Sequence, residues 1–183
     1  MTDTRPYLLE QIDDAAVVQL YADGFDKLTV KEKTLVWHLC RAAIAGRDIF
    51  YDQRHRHNLG MRALLEGILT HADGVPAETV AELTRYTKLF WLNTGPYNNL
   101  TARKFLLNLD RARLTDAMAV ATRNGADFTL ADGESIADRV EKYANVLRSR
   151  LRADGHEQDP GRGPGYSRIE HQQPVRRRHD GRP

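Results

Sequence analysis

Residues 90–109 read FWLNTGPYNNLTARKFLLNL, and they constrain the fold because no helix can continue through their centre. Asn93, Thr94, Gly95 and Pro96 form a dense run of turn residues between two apolar stretches. The pattern predicts a helix that ends in two aromatic residues, followed by a loop that presents polar groups at a fixed place. The alternative is a plain connection between helices, in which the asparagines only shape turns.

Apolar residues recur every three or four positions along most of the remaining chain, which predicts an all-α fold of about six helices. The expected architecture is a helical, bundle-like lobe. The predicted helices span residues 7–21, 29–45, 59–69, 76–91, 109–123 and 136–151.

The start of the second predicted helix has the clearest local signal. Thr29 with Glu32 three positions later forms a capping-box pattern, and Gly46 is expected to bend or interrupt this helix. Leu35 and Leu39 are expected to form part of its buried stripe.

The apolar stripe of the last predicted helix must cover either the body of this domain or a partner. Its members are Ile136, Val140, Tyr143, Leu147 and Leu151.

Length and composition exclude several classes of protein. A chain of 183 residues forms one domain or a piece of a larger protein. Its net charge of +2 is too small to indicate a nucleic-acid partner, and its single cysteine, Cys40, cannot form an internal disulfide. There is no apolar leader at the N-terminus and no apolar run of membrane-spanning length. We therefore expect a cytoplasmic protein without a membrane partner.

The segment from residue 47 to residue 57 is rich in polar and aromatic side chains. His55 and His57 do not share a helix face, and no third ligand lies near them in the sequence, so a solvated basic face is expected rather than a metal site. Asp48 and Asp52 would share a helix face and form ordinary ion pairs with neighbouring arginines. A weaker hypothesis is an independent enzyme that uses these two aspartates and His57.

The composition changes at residue 153, which divides the chain into a helical lobe at 1–152 and a tail at 153–183. The tail is rich in Gly, Pro, Arg and His, and it has too few apolar residues to form a core. We therefore expect a disordered C-terminal tail. The same composition is typical of an out-of-frame reading of a GC-rich gene.

Seven positions in the central segment carry a family resemblance: Asn93, Gly95, Tyr97, Lys104, Phe105, Asn108 and Leu109. Their spacing resembles a segment near the N-terminus of the dipeptidyl peptidase III family. These proteins are zinc metallopeptidases that remove dipeptides from peptide N-termini. Residues 35–68, which include Asn58 and Arg62, are similar to the preceding part of bacterial members.

Peptidases of this family carry an H-E-x-x-x-H helix, in which two histidines bind zinc and the glutamate acts as general base. This chain lacks the motif: its only His-Glu pair is His156-Glu157, and position 161 is Gly161. The resemblance therefore implies a non-catalytic fragment of the mostly helical lobe, without a catalytic or metal-binding residue. Zinc would belong to the catalytic lobe of the intact protein.

The resemblance also implies a binding role for the central loop. Asn93, Gly95, Tyr97 and Asn98 are the candidates for holding the backbone and free amino end of a peptide substrate. The implied partners are that peptide and the missing catalytic lobe. Self-association through an exposed apolar helix face is a further expectation, and a stand-alone helical interaction module derived from the lobe is the alternative.

Overall fold

The computed structural model describes residues 5–148, and that part of the chain is mostly helical. Its elements, in chain order, are β1 Leu8–Ile12, β2 Ala15–Val18, a short 3-10 helix at Phe25–Lys27, α1 Val30–Ala45, α2 Arg47–Arg54, α3 Asn58–Thr70, α4 Ala77–Asn93, α5 Arg111–Arg123 and α6 Ile136–Arg148. The predicted tail, together with Leu151, lies outside the described residues. None of the helices between residues 5 and 148 is long and apolar enough to cross a membrane.

The all-α prediction is wrong at the start of the chain, where a β-hairpin replaces the helix expected at 7–21. β1 and β2 pair antiparallel across a two-residue turn, and Asp13 in that turn has a φ of 53°. Aspartate tolerates this left-handed conformation better than most residues, so it favours the turn. Ion pairs of Asp13 with Arg85 (2.5 Å) and of Glu10 with Lys88 (2.5 Å) join the hairpin to α4.

Helix α1 begins and ends where the sequence predicts. The backbone N–H of Thr29 donates to Glu32 Oε2 at 2.8 Å, and the Glu32 N–H donates to Thr29 Oγ1 at 3.3 Å, which confirms the capping box. Gly46 separates α1 from α2, as expected.

The predicted burial of the α1 stripe is wrong. Leu35 is 58% exposed, Leu39 is 60% exposed, and no residue of the helix is buried. Trp37 and Ile44 are also exposed, so apolar side chains lie around the whole helix instead of along one inward face.

The core lies between α3, α4, α5 and α6. Its completely or almost completely buried side chains include Met61, Leu64, Leu65 and Ile68 of α3, Leu83, Tyr86 and Phe90 of α4, Leu114 and Met118 of α5, and Val140 and Leu147 of α6. The apolar residues that recur every three or four positions in α3, α4 and α5 therefore lie largely in the core. The stripe of α6 covers this body. Exposed apolar side chains lie on α1, on the hairpin and on α2.

Candidate functional site

The last turn of α4, just before the loop, contains a buried aromatic residue. Phe90 is 1% exposed, and its ring stacks on Tyr51 of α2 with 5.9 Å between the ring centroids. Trp91, the second aromatic residue at the predicted end of the helix, is 45% exposed, and its Nε1 donates to Glu66 Oε1 at 2.9 Å. Phe105, at the other end of the loop, packs partly buried against the core. Phe90 and Phe105 thus anchor the loop, while Trp91 lies at its outer edge.

The chain leaves α4 through two residues with positive φ. Thr94 adopts a left-handed conformation with φ 50°, and Gly95 has φ 149°. The Gly95 N–H donates to the carbonyl of Phe90 at 2.9 Å, which ends the helix and turns the chain.

The outgoing and returning parts of the loop pair with each other. Tyr97 and Lys104 form an isolated antiparallel bridge, and the Phe105 N–H donates to Pro96 O at 2.8 Å. Beyond the loop, the Leu107 N–H donates to Leu147 O of α6 at 2.9 Å. The loop is therefore held at both ends and across its middle.

Asn98 closes the tip of this loop. Its Oδ1 accepts from the N–H groups of Leu100 and Thr101, at 2.9 Å each. This is the local turn contact that asparagine commonly makes, so its side-chain acceptor is already used inside the loop.

Asn93 uses its side chain in the same way. Its Nδ2 donates to Leu89 O at 2.9 Å, and its Oδ1 accepts from the Asn99 N–H at 3.0 Å. Its backbone carbonyl accepts from the Arg54 guanidinium at 3.0 Å, and Arg54 also contacts Asn99. Both polar atoms of the Asn93 carboxamide thus hold the shape of the loop.

Asn58, at the start of α3, is the residue that the sequence-based site prediction missed. It is completely buried, and its Nδ2 donates to Tyr51 O at 3.0 Å and to Thr94 O at 3.1 Å. Its Oδ1 has no hydrogen-bond partner among the described residues. A Cβ at Gly95 would lie 2.7 Å from Asn58 Nδ2, so glycine is needed there for close approach as well as for its backbone angle. The only sequence signal for Asn58 was its place in the family resemblance.

Two concavities meet at Thr94. The smaller has a volume of about 140 Å³. It is lined by Arg54, His55, Asn58, Asn93, Thr94, Gly95, Pro96 and Tyr97. The larger is an open groove of about 530 Å³. It is lined by Ala43, Arg47, Phe50, Tyr51, Arg62, Glu66, Trp91 and Thr94. Three of the four predicted binding residues therefore line the smaller cavity, and Asn98 is not among its lining residues.

The surroundings of the smaller cavity are basic. Burial lowers the pKa of the Lys104 ammonium to about 8. Burial also lowers the pKa of His55, and the nearby charges of His57, Arg56 and Lys104 act in the same direction. The His57 N–H donates to His55 Nδ1 at 3.2 Å, so this ring nitrogen acts as an acceptor. His55 is therefore favoured as a neutral ring.

Asp48 and His57 have different neighbours. Asp48 accepts from Arg62 at 2.9 Å, and this hydrogen bond is the main cause of its lowered pKa. Arg47 lies 3.5 Å from the same carboxylate, as the expected ion pair requires. His57 packs against Tyr143 of α6 with 5.6 Å between ring centroids.

Both histidines are partly buried rather than on a solvated face, because they lie against the loop and α6. Between residues 5 and 148, no group of three or more His, Cys, Asp or Glu side chains could hold a metal ion.

No protein-family model matches this chain, and no curated protein matches it at a significant level.

Proposed function

We propose that this chain is the peptide-binding part of the helical lobe of a dipeptidyl peptidase III-like zinc hydrolase, with the zinc site on a lobe outside this chain. The observation that carries the proposal is the hydrogen-bonded loop beside two adjoining concavities. Five of the seven positions that carry the family resemblance lie in this loop or at its ends, in residues 93–105. The helical, bundle-like body would hold this loop in place.

The two concavities suit different parts of a peptide. Phe50, Tyr51 and Trp91 give the larger groove an aromatic wall, which fits an apolar side chain. The smaller cavity offers polar groups around Gly95 and Tyr97, which fit a backbone group. Of the four predicted residues, Gly95 and Tyr97 would contact the peptide, while Asn93 and Asn98 would hold the loop in shape.

Helix α1 supports the proposal of a missing lobe. A single helix of this length is marginal in water without packing, and α1 has apolar side chains exposed around its circumference. A partner surface that covers α1 would remove them from water. In the proposed intact, cytoplasmic peptidase, the catalytic lobe or a neighbouring segment would provide that surface.

Peptide binding can be measured by the fluorescence of Trp91, because this side chain lines the larger groove. In a Trp37→Phe background, which leaves Trp91 as the only tryptophan, titration with trialanine should change the emission and saturate. A Trp91→Phe variant that retains Trp37 is the matched control, because Trp37 lies on α1 and does not line the groove. An unchanged Trp91 emission, together with no change in the NMR signals of the loop, would refute peptide binding by this chain.

The chain alone is expected to retain no zinc after dialysis and to show no aminopeptidase activity. The reason is that His55 and His57 have no third side chain in the described part of the protein with which to form a metal site. Stoichiometric zinc that is lost when either histidine is changed to alanine would contradict the proposal.

A stand-alone interaction module is the second candidate, and the exposure of α1 favours it. In this case α1 would pair with a second copy or another protein. Light scattering would then report a mass that rises with concentration and returns to the monomer value in Leu39→Glu. Lys31→Glu, an exposed polar change on the same helix, is the control. A monomer at all concentrations would exclude pairing between copies.

A further inference from the structure

The N-terminal hairpin has a strand edge that no described residue pairs with. The ion pairs that join the hairpin to α4 come from Glu10 of β1 and from Asp13 of the turn. Ile12 of β1 is the only buried residue of the hairpin. Apart from its ladder with β1, β2 makes no hydrogen bond or ion pair with any residue between 5 and 148. The attachment to the body thus leaves the outer edge of β2 unpaired in this part of the chain.

The register of the hairpin shows which backbone groups point to the outer edge of β2. The Gln19 N–H donates to Tyr7 O at 2.7 Å, so it points toward the first strand. The irregularity of the ladder lies in β1, and β2 runs without a bulge. Because directions alternate along an antiparallel strand, Val17 also points toward β1, whereas Ala16 and Val18 direct their N–H and C=O groups outward. Both of these residues are exposed.

The two edges of the hairpin differ in the features that normally prevent strand pairing. Charged side chains, prolines and bulges protect the edge strands of natural sheets. β1 contains a bulge and the charge of Glu10, and Pro6 lies just before it. β2 reads AAVV and has none of these features. Since a hairpin of two strands is only marginally stable alone, a further strand beside β2 would stabilise the sheet.

The charges next to β2 favour one arrangement of a second copy. Asp13 and Asp14 both lie at the same end of the strand. A parallel arrangement of two β2 strands would place these aspartates side by side, where like charges repel. An antiparallel arrangement places them at opposite ends of the combined sheet. It is also the arrangement that a two-fold axis produces, so the contact closes at a dimer.

One antiparallel register uses all the outward groups of both β2 strands. It places Ala16 of each copy opposite Val18 of the other, and each of these pairs exchanges hydrogen bonds in both directions. Val17 then faces Val17 of the second copy across the two-fold axis. This central pair has no direct hydrogen bonds, so its side chains approach closely, and β-branched residues pack well in such pairs.

We infer that β2 is a dimerisation edge, which pairs antiparallel with β2 of a second copy around a two-fold axis at Val17. The product is a continuous sheet with the strand order β1-β2-β2-β1. This inference goes beyond the proposed peptide binding and does not depend on it. It also uses a different surface from α1. Because the paired segments are short, the dimer is weak and forms at high protein concentration.

Disulfide trapping tests the inference on the full chain. All variants carry Cys40→Ser, which removes the only native cysteine, and Leu39→Glu, which suppresses contacts through the exposed α1. Residues that face each other in a pair without hydrogen bonds have Cα atoms about 4.5 Å apart, and a disulfide spans about 4.4–6.8 Å. Val17→Cys should therefore give a disulfide-linked dimer under mild oxidation.

Ala15→Cys is the matched control. Ala15 lies on the same strand and the same face as Val17, and both are half-buried. In the inferred register the two copies of Ala15 are more than about 13 Å apart, which is too far for a disulfide. We expect Val17→Cys to give at least about tenfold more linked dimer than Ala15→Cys. Equal amounts, as parallel or random contact would give, would overturn the inference, and so would the absence of a linked dimer from Val17→Cys at millimolar protein.

Proline substitution tests the hydrogen bonds of the outer edge independently. Ala16→Pro removes an N–H that points outward from β2. Gln11→Pro is the control, because Gln11 lies opposite Ala16 and its N–H points to the other edge of the hairpin. In light scattering, the rise of mass with concentration should be lost in Ala16→Pro and retained in Gln11→Pro. The same behaviour of both variants would contradict pairing through β2. If Ala16→Pro disrupts the hairpin, the cysteine variants decide.

Discussion

Replacement of Gly95 by alanine should destabilise this protein more than the same change at another glycine with positive φ. Gly95 has φ 149°, so any other residue there is strained by about 1–3 kcal/mol. The new Cβ would also lie 2.7 Å from Asn58 Nδ2 and 3.3 Å from Asn58 Cγ. Because Asn58 is completely buried and held by two hydrogen bonds, its side chain cannot swing aside without breaking them. Each bond contributes about 0.5–1.5 kcal/mol.

Gly125→Ala separates the cost of the backbone strain from the cost of the clash with Asn58. Gly125 has φ 100°, but a Cβ there would meet no atom within 4 Å, so this variant carries backbone strain without a clash. We expect Gly95→Ala to lose about 1–2 kcal/mol more than Gly125→Ala in the free energy of unfolding, from the disturbed bonds of Asn58.

The assay is thermal and urea unfolding of both variants and the parent. In a chain of this size, 1 kcal/mol shifts Tm by about 2–4 °C, so the two variants should differ by about 2–8 °C. Equal losses of stability in the two variants would refute the close packing of Asn58 against Gly95. A Gly95→Ala variant as stable as the parent would also refute the strain at this position.

Three further changes test other parts of the structure by unfolding measurements. Phe90→Ala should lower the free energy of unfolding by about 3–5 kcal/mol, and Trp91→Ala, at a partly exposed position, by clearly less; equal losses would contradict the anchoring of the loop at Phe90. Lys104→Met should stabilise the protein at pH 7, because burial holds the folded pKa at about 8 against an ordinary value of 10.5. The gain should disappear as the pH rises through that interval, and a gain independent of pH would exclude this explanation. Glu134→Gln should lower Tm at neutral pH, because the hydrogen bond from Arg139 lowers the pKa of Glu134 to about 2. The difference from the parent should fade as the pH drops from 4.5 to about 2, and a constant difference would point to another cause.

Capping patterns and apolar spacing predicted most helices, because the residues involved interact within one or two helical turns. Thr29 and Glu32 exchange hydrogen bonds at the start of α1. The apolar stripes of α3 to α5 face the core, as their spacing indicates. At 7–21, by contrast, apolar residues at helical spacing compete with two adjacent aspartates and the β-branched pair Val17-Val18. The turn and the β-branched residues favoured the hairpin over the helix.

The exposure of α1 could not be predicted from periodicity. Leu35 and Leu39 have the spacing of a buried stripe, but burial requires a neighbouring surface, and the described part of the chain provides none for them. A pattern in one segment shows which face is apolar. It does not show whether another element covers that face.

The candidate site was predicted in part. The positions of Gly95 and Tyr97 in a fixed loop followed from turn chemistry and from the resemblance, and both line the smaller cavity. The contribution of Asn58 could not be predicted, because it depends on contacts with Thr94 and Gly95, which are far away in the sequence. The structural roles of Asn93 and Asn98 agree with the simpler alternative for loop asparagines.

The hydrogen bond from the Leu107 N–H to the Leu147 carbonyl affects the order in which parts of the fold are completed during synthesis. The hydrogen bonds of helix α4 are local, so they can form before α6 has been synthesised. The N–H of Leu107 has no acceptor until residue 147 has been synthesised and α6 has formed. Since chains grow at roughly 5–20 residues per second, this N–H waits for some seconds, whereas the neighbouring Asn108 N–H can already donate to Glu82 of α4. The segment that returns to the core is therefore fastened to α4 before it is fastened to α6.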